Sequence, residues 1–262
     1  VFSAVSDSVV LVSVNDNNGK TISRSNGVVI AAQVVASNCA GVRKAGAVQV
    51  SHHGRSFPAT VTYIDGEHDV CSYAVAGLNA PAATLGSTAS AHVGHRVFTI
   101  DTLKGGQLNI SEGLIAGRRS LAGGYYLQLS TPLSRGSAGG AVFAASGHLI
   151  GLSVRSREDI DFAAPVEWLG ALAQRDSGPT GPPAASILDD LNRTIALHNK
   201  GDWLRMGRHA ESWMQRAKTT EPAWFALAMG YAGINQKPIA VEVFQQALRF
   251  DPEDTDAWQQ LG

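Results

Sequence analysis

The chain is poor in cysteine, in charge and in long apolar runs. Two cysteines in 262 residues are too few for the disulfide framework of a small secreted domain. Charged residues make up 16% of the sequence and the net charge is −1, with no basic run longer than two residues. That excludes the basic footprint of a nucleic-acid or anionic-membrane partner. No stretch approaches the roughly 20 apolar residues that span a bilayer. There is no opening methionine and no recognisable signal peptide, so the sequence is expected to start inside a longer chain. The histidine pairs His52-His53 and His92-x-x-His95 have no cysteine or carboxylate at ligand spacing. A zinc site wants three or four ligands with supporting partners. These pairs therefore read as solvated loop histidines, and no metal or cofactor is expected.

What is present is a core-forming β region followed by a helical one. Hydrophobic residues make up 44%, which argues against global disorder, and the length allows one to two domains. Ser8–Val14 is a β-branched run that ends at Asn15-Asp16-Asn17-Asn18-Gly19, a turn signal. Val28–Val35, Ala47–Val50, Ala59–Tyr63 and Val97–Ile100 repeat the pattern. Short strands between Gly, Asn and Ser turns point to paired antiparallel barrels. Residues 1–175 form this domain, and 176–185, rich in Gly and Pro, should be an extended linker. From Ser186 the apolar period becomes helical, with Leu188, Leu191, Ile195 and Leu197 on one broad side and a stop at Lys200-Gly201.

Within residues 186–262 a repeat emerges. Trp224, Leu227, Tyr231, Ala240, Phe244, Ala247 and Pro252 stand at spacings that resemble the tetratricopeptide motif, and Trp258 and Leu261 follow Trp224 and Leu227 by 34 residues. The resemblance implies antiparallel helix pairs stacked into a solenoid, with 186–219 a divergent first hairpin and further repeats following. A solenoid offers a concave surface for a protein partner.

Residues 134–143 read Ser-Arg-Gly-Ser-Ala-Gly-Gly-Ala-Val-Phe. This resembles the nucleophile loop Gly-x-Ser-Gly-Gly of trypsin-like serine proteases, with Ala138 at the serine position. Val34-Val35-Ala36-Ser37-Asn38-Cys39-Ala40-Gly41-Val42 resembles the block that carries the general base, with Ala40 at the histidine position and Gly41 where a valine is usual. Glu67-His68-Asp69-Val70-Cys71 resembles the block of the orienting carboxylate, and Asp69 is intact. Ser25–Ile30, Ser111–Gly117, Leu127–Thr131, Gly147–Gly151 and Phe162–Val166 extend the resemblance in order over about the first 170 residues. Ile100-Asp101-Thr102-Leu103-Lys104-Gly105 departs from the usual Ile-Gly-x-Pro-x-Gly.

The resemblance implies two six-stranded antiparallel barrels, the first carrying Ala40 and Asp69 and the second Ala138. It implies a serine endopeptidase that hydrolyses peptide bonds of a protein or peptide in its cleft. The backbone N–H groups of Gly136 and Ala138 would hold the oxyanion. Ser153, Val154 and Arg155 would line the substrate strand, and the specificity pocket would begin near Pro132. A triad needs a nucleophile, a base and an acid that orients the base. Losing the first two costs about 10⁶-fold in turnover, so the chain as it stands is expected to be inactive. A deliberately disabled enzyme and a natural pseudoprotease that scaffolds partners both remain open. Ser137 adjoins position 138 on a tight loop, where neighbouring residues point in different directions, and Ser134 and Ser153 have no base within sequence reach, so all three are poor substitutes. By the same resemblance Cys39 and Cys71 lie near one another. Two buried free thiols are expected, with a disulfide as the alternative, which points to a cytoplasmic location.

Overall fold

The computed structural model describes residues 5–66, 68–102, 107–121, 124–131, 138–154, 161–174, 176, 178, 186–216, 221–252 and 254–262. The chain divides into two compact units, Val1–Arg118 with Gly124–Ser186, and Ile187–Gly262 with Arg119–Gly123.

The first unit holds two closed barrels. β1 (Val9–Asn15), β2 (Thr21–Ala31), β3 (Val34–Ser37), β4 (Ala47–His52), β5 (Arg55–Asp65) and β6 (Val70–Ala74) close in the order β1-β2-β3-β6-β5-β4. β7 (Arg96–Thr102), β8 (Leu108–Leu121), β9 (Gly124–Leu129), β10 (Ala141–Ala144), β11 (Leu149–Val154) and β12 (Asp161–Pro165) close in the order β10-β11-β12-β9-β8-β7. The ladders are antiparallel, and closure leaves no free sheet edge.

Local sequence explains the strands. Val10, Val12 and Val14 alternate into the first core while Leu11 and Ser13 lie less deep, the period of a half-buried strand. The β1–β2 turn is held by Asp16, whose carboxylate accepts from the N–H groups of Asn18 and Lys20, each at 2.9 Å. That is the local side-chain capping for which Asx residues are favoured in turns. The run Val28–Val35 is not one strand. It breaks between β2 and β3, where Gln33 takes a positive φ of 61°. The turn lacks Gly, Pro and Asn, so nothing in the sequence marked it. The second core gathers Val97, Ile115, Leu127, Val142 and Ile150.

A short helix, α1 (Glu167–Gly170), follows β12. Its Trp168 is buried, with its ring centroid 5.1 Å from Tyr126 of the second barrel and 4.2 Å from His68 of the first. The expected linker starts in a tethered way. The Asp176 carboxylate accepts from the Ile64 N–H at 2.9 Å, while residues 177 and 179–185 lie outside the described residues.

The second unit contains α2 (Ser186–Asn199), α3 (Trp203–Arg216), α4 (Glu221–Gly233), α5 (Lys237–Phe250) and α6 (Thr255–Leu261). α3 and α5 begin 34 residues apart, as do α4 and α6. Ala228, Ala240, Phe244 and Ala257 are buried in one cluster that joins α4, α5 and α6. Met206, Ala210 and Leu227 are buried in a second that joins α3 and α4. Among the described residues no helix is long and apolar enough to cross a membrane.

Candidate active site

The site is built around the β5–β6 hairpin. Asp65 and Val70 are its last paired residues, and the turn between them ends at Asp69 with φ 58°. A left-handed aspartate is uncommon but tolerated, and such conformations cluster at functional sites. Two bonds from the Asp65 carboxylate hold the turn. It accepts from the His68 N–H at 3.2 Å and bonds His68 Nδ1 at 2.8 Å. The His68 ring is buried beneath Trp168. Nothing in the sequence pattern marks this His–Asp pair.

Asp69 points its carboxylate at the block of position 40. Its Oδ1 accepts from the Cys39 N–H at 2.9 Å. Burial pushes its pKa up from 3.8 to about 6, against the lowering effect of that one bond. Tyr73 lies close enough to feel the charge. Burial first, and then Asp69, push its hydroxyl above the usual phenol range, and the hydroxyl donates to Asn38 O at 3.1 Å.

The cysteines are joined, contrary to the free thiols expected. Cys39 and Cys71 form a disulfide with Cα atoms 5.1 Å apart. Ser37 and Cys71 are paired across the β3–β6 ladder, so Cys39, two residues further on, is already adjacent to Cys71. The bond links the segment before position 40 to the strand after Asp69.

Ala40 is half-buried, and its methyl group offers no base. Gly41 then takes φ 80° and opens a 3₁₀ turn, Val42–Lys44. A Cβ there would lie 2.9 Å from Ser23 Cβ, so the valine usual at this position would be both crowded and strained.

The loop at position 138 is held from both barrels. The Ala138 carbonyl accepts from the Asn26 N–H of β2 at 2.9 Å. Gly139 has φ 78°, and a Cβ on it would collide with Asn26 O and lie 2.7 Å from Ser37 Oγ and 3.2 Å from Asn38 N. Only glycine fits. On the other side the Gly139 N–H donates to Ser153 O and the Ser153 N–H donates to Gly140 O, both at 2.8 Å. Gly139 therefore abuts Asn38, and Asp69 bonds Cys39, so both approach the two residues that precede Ala40. Positions 40, 69 and 138 are thus gathered from three separate segments. Of the three, Asp69 alone carries a group capable of proton transfer.

Ser153 and Val154, expected along the substrate strand, are each 1% exposed. The Ser153 N–H and C=O are both bonded to the loop at 139–140, so this residue supports that loop. Pro132, Ser134, Gly136, Ser137 and Arg155 lie outside the described residues. His52 bonds Asp7 O at 2.9 Å, and burial lowers its pKa. His53 lies 3.3 Å from the Asp7 carboxylate, and His92 meets Arg118 at 3.2 Å. Among the described residues no three His, Cys, Asp or Glu side chains come together as metal ligands would.

Paired six-stranded antiparallel barrels, with the acid on the first and a Gly-Gly loop on the second, are the trypsin-like fold. Residues 25–152, a little under half of the chain, match the family model of the trypsin-like peptidase domain. Among solved structures, the chain is similar to the active form of the Rv3671c protease from M. tuberculosis, with TM-score 0.60 and 20% identity, over 70% of this chain and 87% of that one. It is also similar to the HtrA-type protease AlgW with tripeptide, with TM-score 0.58 and 23% identity, over 66% of this chain. Only 60% of the AlgW chain is spanned. A third likeness is to Deg5, with TM-score 0.57 and 18% identity, over 64% and 88% of the two chains. At these identities the likenesses speak to fold. No curated protein matches the chain in sequence. Together the family model and the neighbours support a trypsin-like fold for this part of the chain.

Proposed function

We propose that the barrels are the framework of a serine endopeptidase, inactive as the chain stands because positions 40 and 138 hold alanine. The observation that carries this reading is the convergence of three sequence-distant blocks on one place, with Asp69 bonded to the segment before position 40. Gly139 and Gly140 of the loop are packed in place there. With a serine at 138 and a histidine at 40, the serine would attack a peptide carbonyl. The histidine would take its proton and return it to the leaving amine, and Asp69 would orient the histidine. The N–H groups of Gly136 and Ala138 would receive the oxyanion. A peptide or protein segment occupies the cleft in this reading.

The helical unit is read as tetratricopeptide-like. The 34-residue recurrence of α3 to α5 and of α4 to α6 supports this, and a protein partner or substrate is its proposed ligand. The Cys39–Cys71 bond supports an oxidising compartment rather than the cytoplasm, where thiols are kept reduced. The natural pseudoprotease is the second reading. The left-handed Gly41 favours it, since that backbone beside position 40 suits glycine and not the family's valine.

Cleavage of an unstructured protein such as casein separates the two. The Ala40→His, Ala138→Ser double variant should cleave it and each single variant should not. A folded double variant that binds such a substrate without cutting it would favour the scaffold.

A further inference from the structure

Asn26 is an unusual residue for its place. It lies in the five-residue stretch of β2, Ser25–Val29, that is buried throughout, and it is 0% exposed itself. Burying an amide is costly unless its groups are bonded. Its groups are bonded, and two of the bonds reach the opposite barrel. β2 pairs with β3 from Gly27 onward, so Asn26 stands just past that ladder. Its N–H turns instead to the Ala138 carbonyl at 2.9 Å. Its side-chain Oδ1 accepts from the Thr102 N–H at 2.6 Å, at the end of β7. Its carbonyl accepts from Ser37 Oγ and forms the surface against which Gly139 packs.

The two cross-barrel bonds have a shared consequence. β7 pairs with β10 through Ile100 and Ala141, and β10 begins directly after the Gly139-Gly140 loop. Through Thr102, Asn26 thus holds the strand that sets where the loop ends. Through Ala138, it holds where the loop begins. Thr102 also falls in the segment that departs from the usual Ile-Gly-x-Pro-x-Gly, and the Asn26 side chain is what receives its N–H.

We propose that Asn26 is a positioning residue, which registers the loop of position 138 against the barrel that carries Ala40 and Asp69. Its catalytic consequence rests on the protease reading; its structural half does not. A group one ångström out of place loses most of the advantage of fixed orientation. Asn26 would therefore act on rate and not on substrate binding.

The structural half is read in the chain as it stands, by amide hydrogen exchange. Asn26→Ala removes the acceptor for Thr102, and the protection of the Thr102 and Gly139 amides should fall at least about tenfold. Asn26→Asp keeps an acceptor oxygen and should retain most of it. Should the alanine variant not fold, Asn26→Ser makes the same comparison, because its oxygen stops one bond short. Unchanged protection in a folded variant overturns the clamp. The catalytic half is read in the Ala40→His, Ala138→Ser background with a fluorophosphonate probe. Asn26→Ala should slow the labelling rate constant about tenfold or more, with the final labelled fraction unchanged. A lower final fraction at an unchanged rate would mean lost folding and would refute positioning. If the parent double variant takes no label, the protease reading fails, and hydrogen exchange still decides the clamp.

Discussion

Removing the Cys39–Cys71 bond tests the first barrel where its sequence reading was least settled. The bond closes a loop of sequence separation 32, from the segment before position 40 to the strand after Asp69. In the chain-entropy account a loop of that size contributes about 3.7 kcal/mol by restricting the unfolded chain. For a unit of this size each kcal/mol moves the melting temperature by about 2–4 °C, so Cys39→Ala with Cys71→Ala should lower it by roughly 7–15 °C. The assay must follow the barrels. Four of the five tryptophans, Trp203, Trp213, Trp224 and Trp258, lie in the helical unit, so tryptophan fluorescence reports mainly on helices. Calorimetry, with the helical transition assigned from ellipticity at 222 nm, isolates the barrel transition. Alkylation of the unfolded, unreduced chain should add nothing, and after a dithiol reductant it should add two groups. A shift below about 3 °C, near 1 kcal/mol, or two alkylatable thiols without reductant, would refute the reasoning.

Asp69 should carry a pH-dependent cost. Its folded pKa of about 6 exceeds the unfolded 3.8, so the folded state holds the proton more tightly. Stability should fall as pH rises from about 4 to 6, with the full cost present above that window. The rise sets a ceiling of about 3 kcal/mol. Asp69→Asn should therefore be more stable than the parent at pH 8 and equal to it near pH 4 in urea titrations. Gly139→Ala should destabilise the barrels by about 3 kcal/mol or more, from the left-handed backbone and the collision with Asn26 O; a loss under about 1 kcal/mol in urea unfolding contradicts the packing described. His68→Ala removes the ring bond to the buried Asp65 carboxylate and the ring's contact with Trp168; it should cost about 1–3 kcal/mol, measured the same way, with an unchanged midpoint as the contrary result.

The barrels were legible because their strands are short β-branched runs between Asx and Gly turns, a signal carried by neighbours in sequence. The turn at Ala32-Gln33 was not, because its left-handed residue is a glutamine with no preference for that backbone. That the segments of positions 40, 69 and 138 come together was legible from motif order alone. What holds them was not. Asn26 reaches Thr102 and Ala138 across 76 and 112 residues, and neither partner has a pattern that asks for an amide. The disulfide stood as an alternative for a similar reason. Motif order brings the two cysteines near one another without saying whether they bond, and the β3–β6 register sets them within bonding distance. A histidine beside an intact aspartate carries no mark of which carboxylate it bonds, so the sequence does not show the His68–Asp65 pair.

The central claim is that a serine at position 138 would face a base at position 40 oriented by Asp69. A fluorophosphonate probe, with the labelled residue mapped by peptide mass, tests it most directly. In the Ala40→His, Ala138→Ser variant, label should appear at position 138, and adding Asp69→Asn should slow it by about 10⁴-fold. A folded double variant that takes no label at position 138, or labels equally fast without Asp69, would contradict the account.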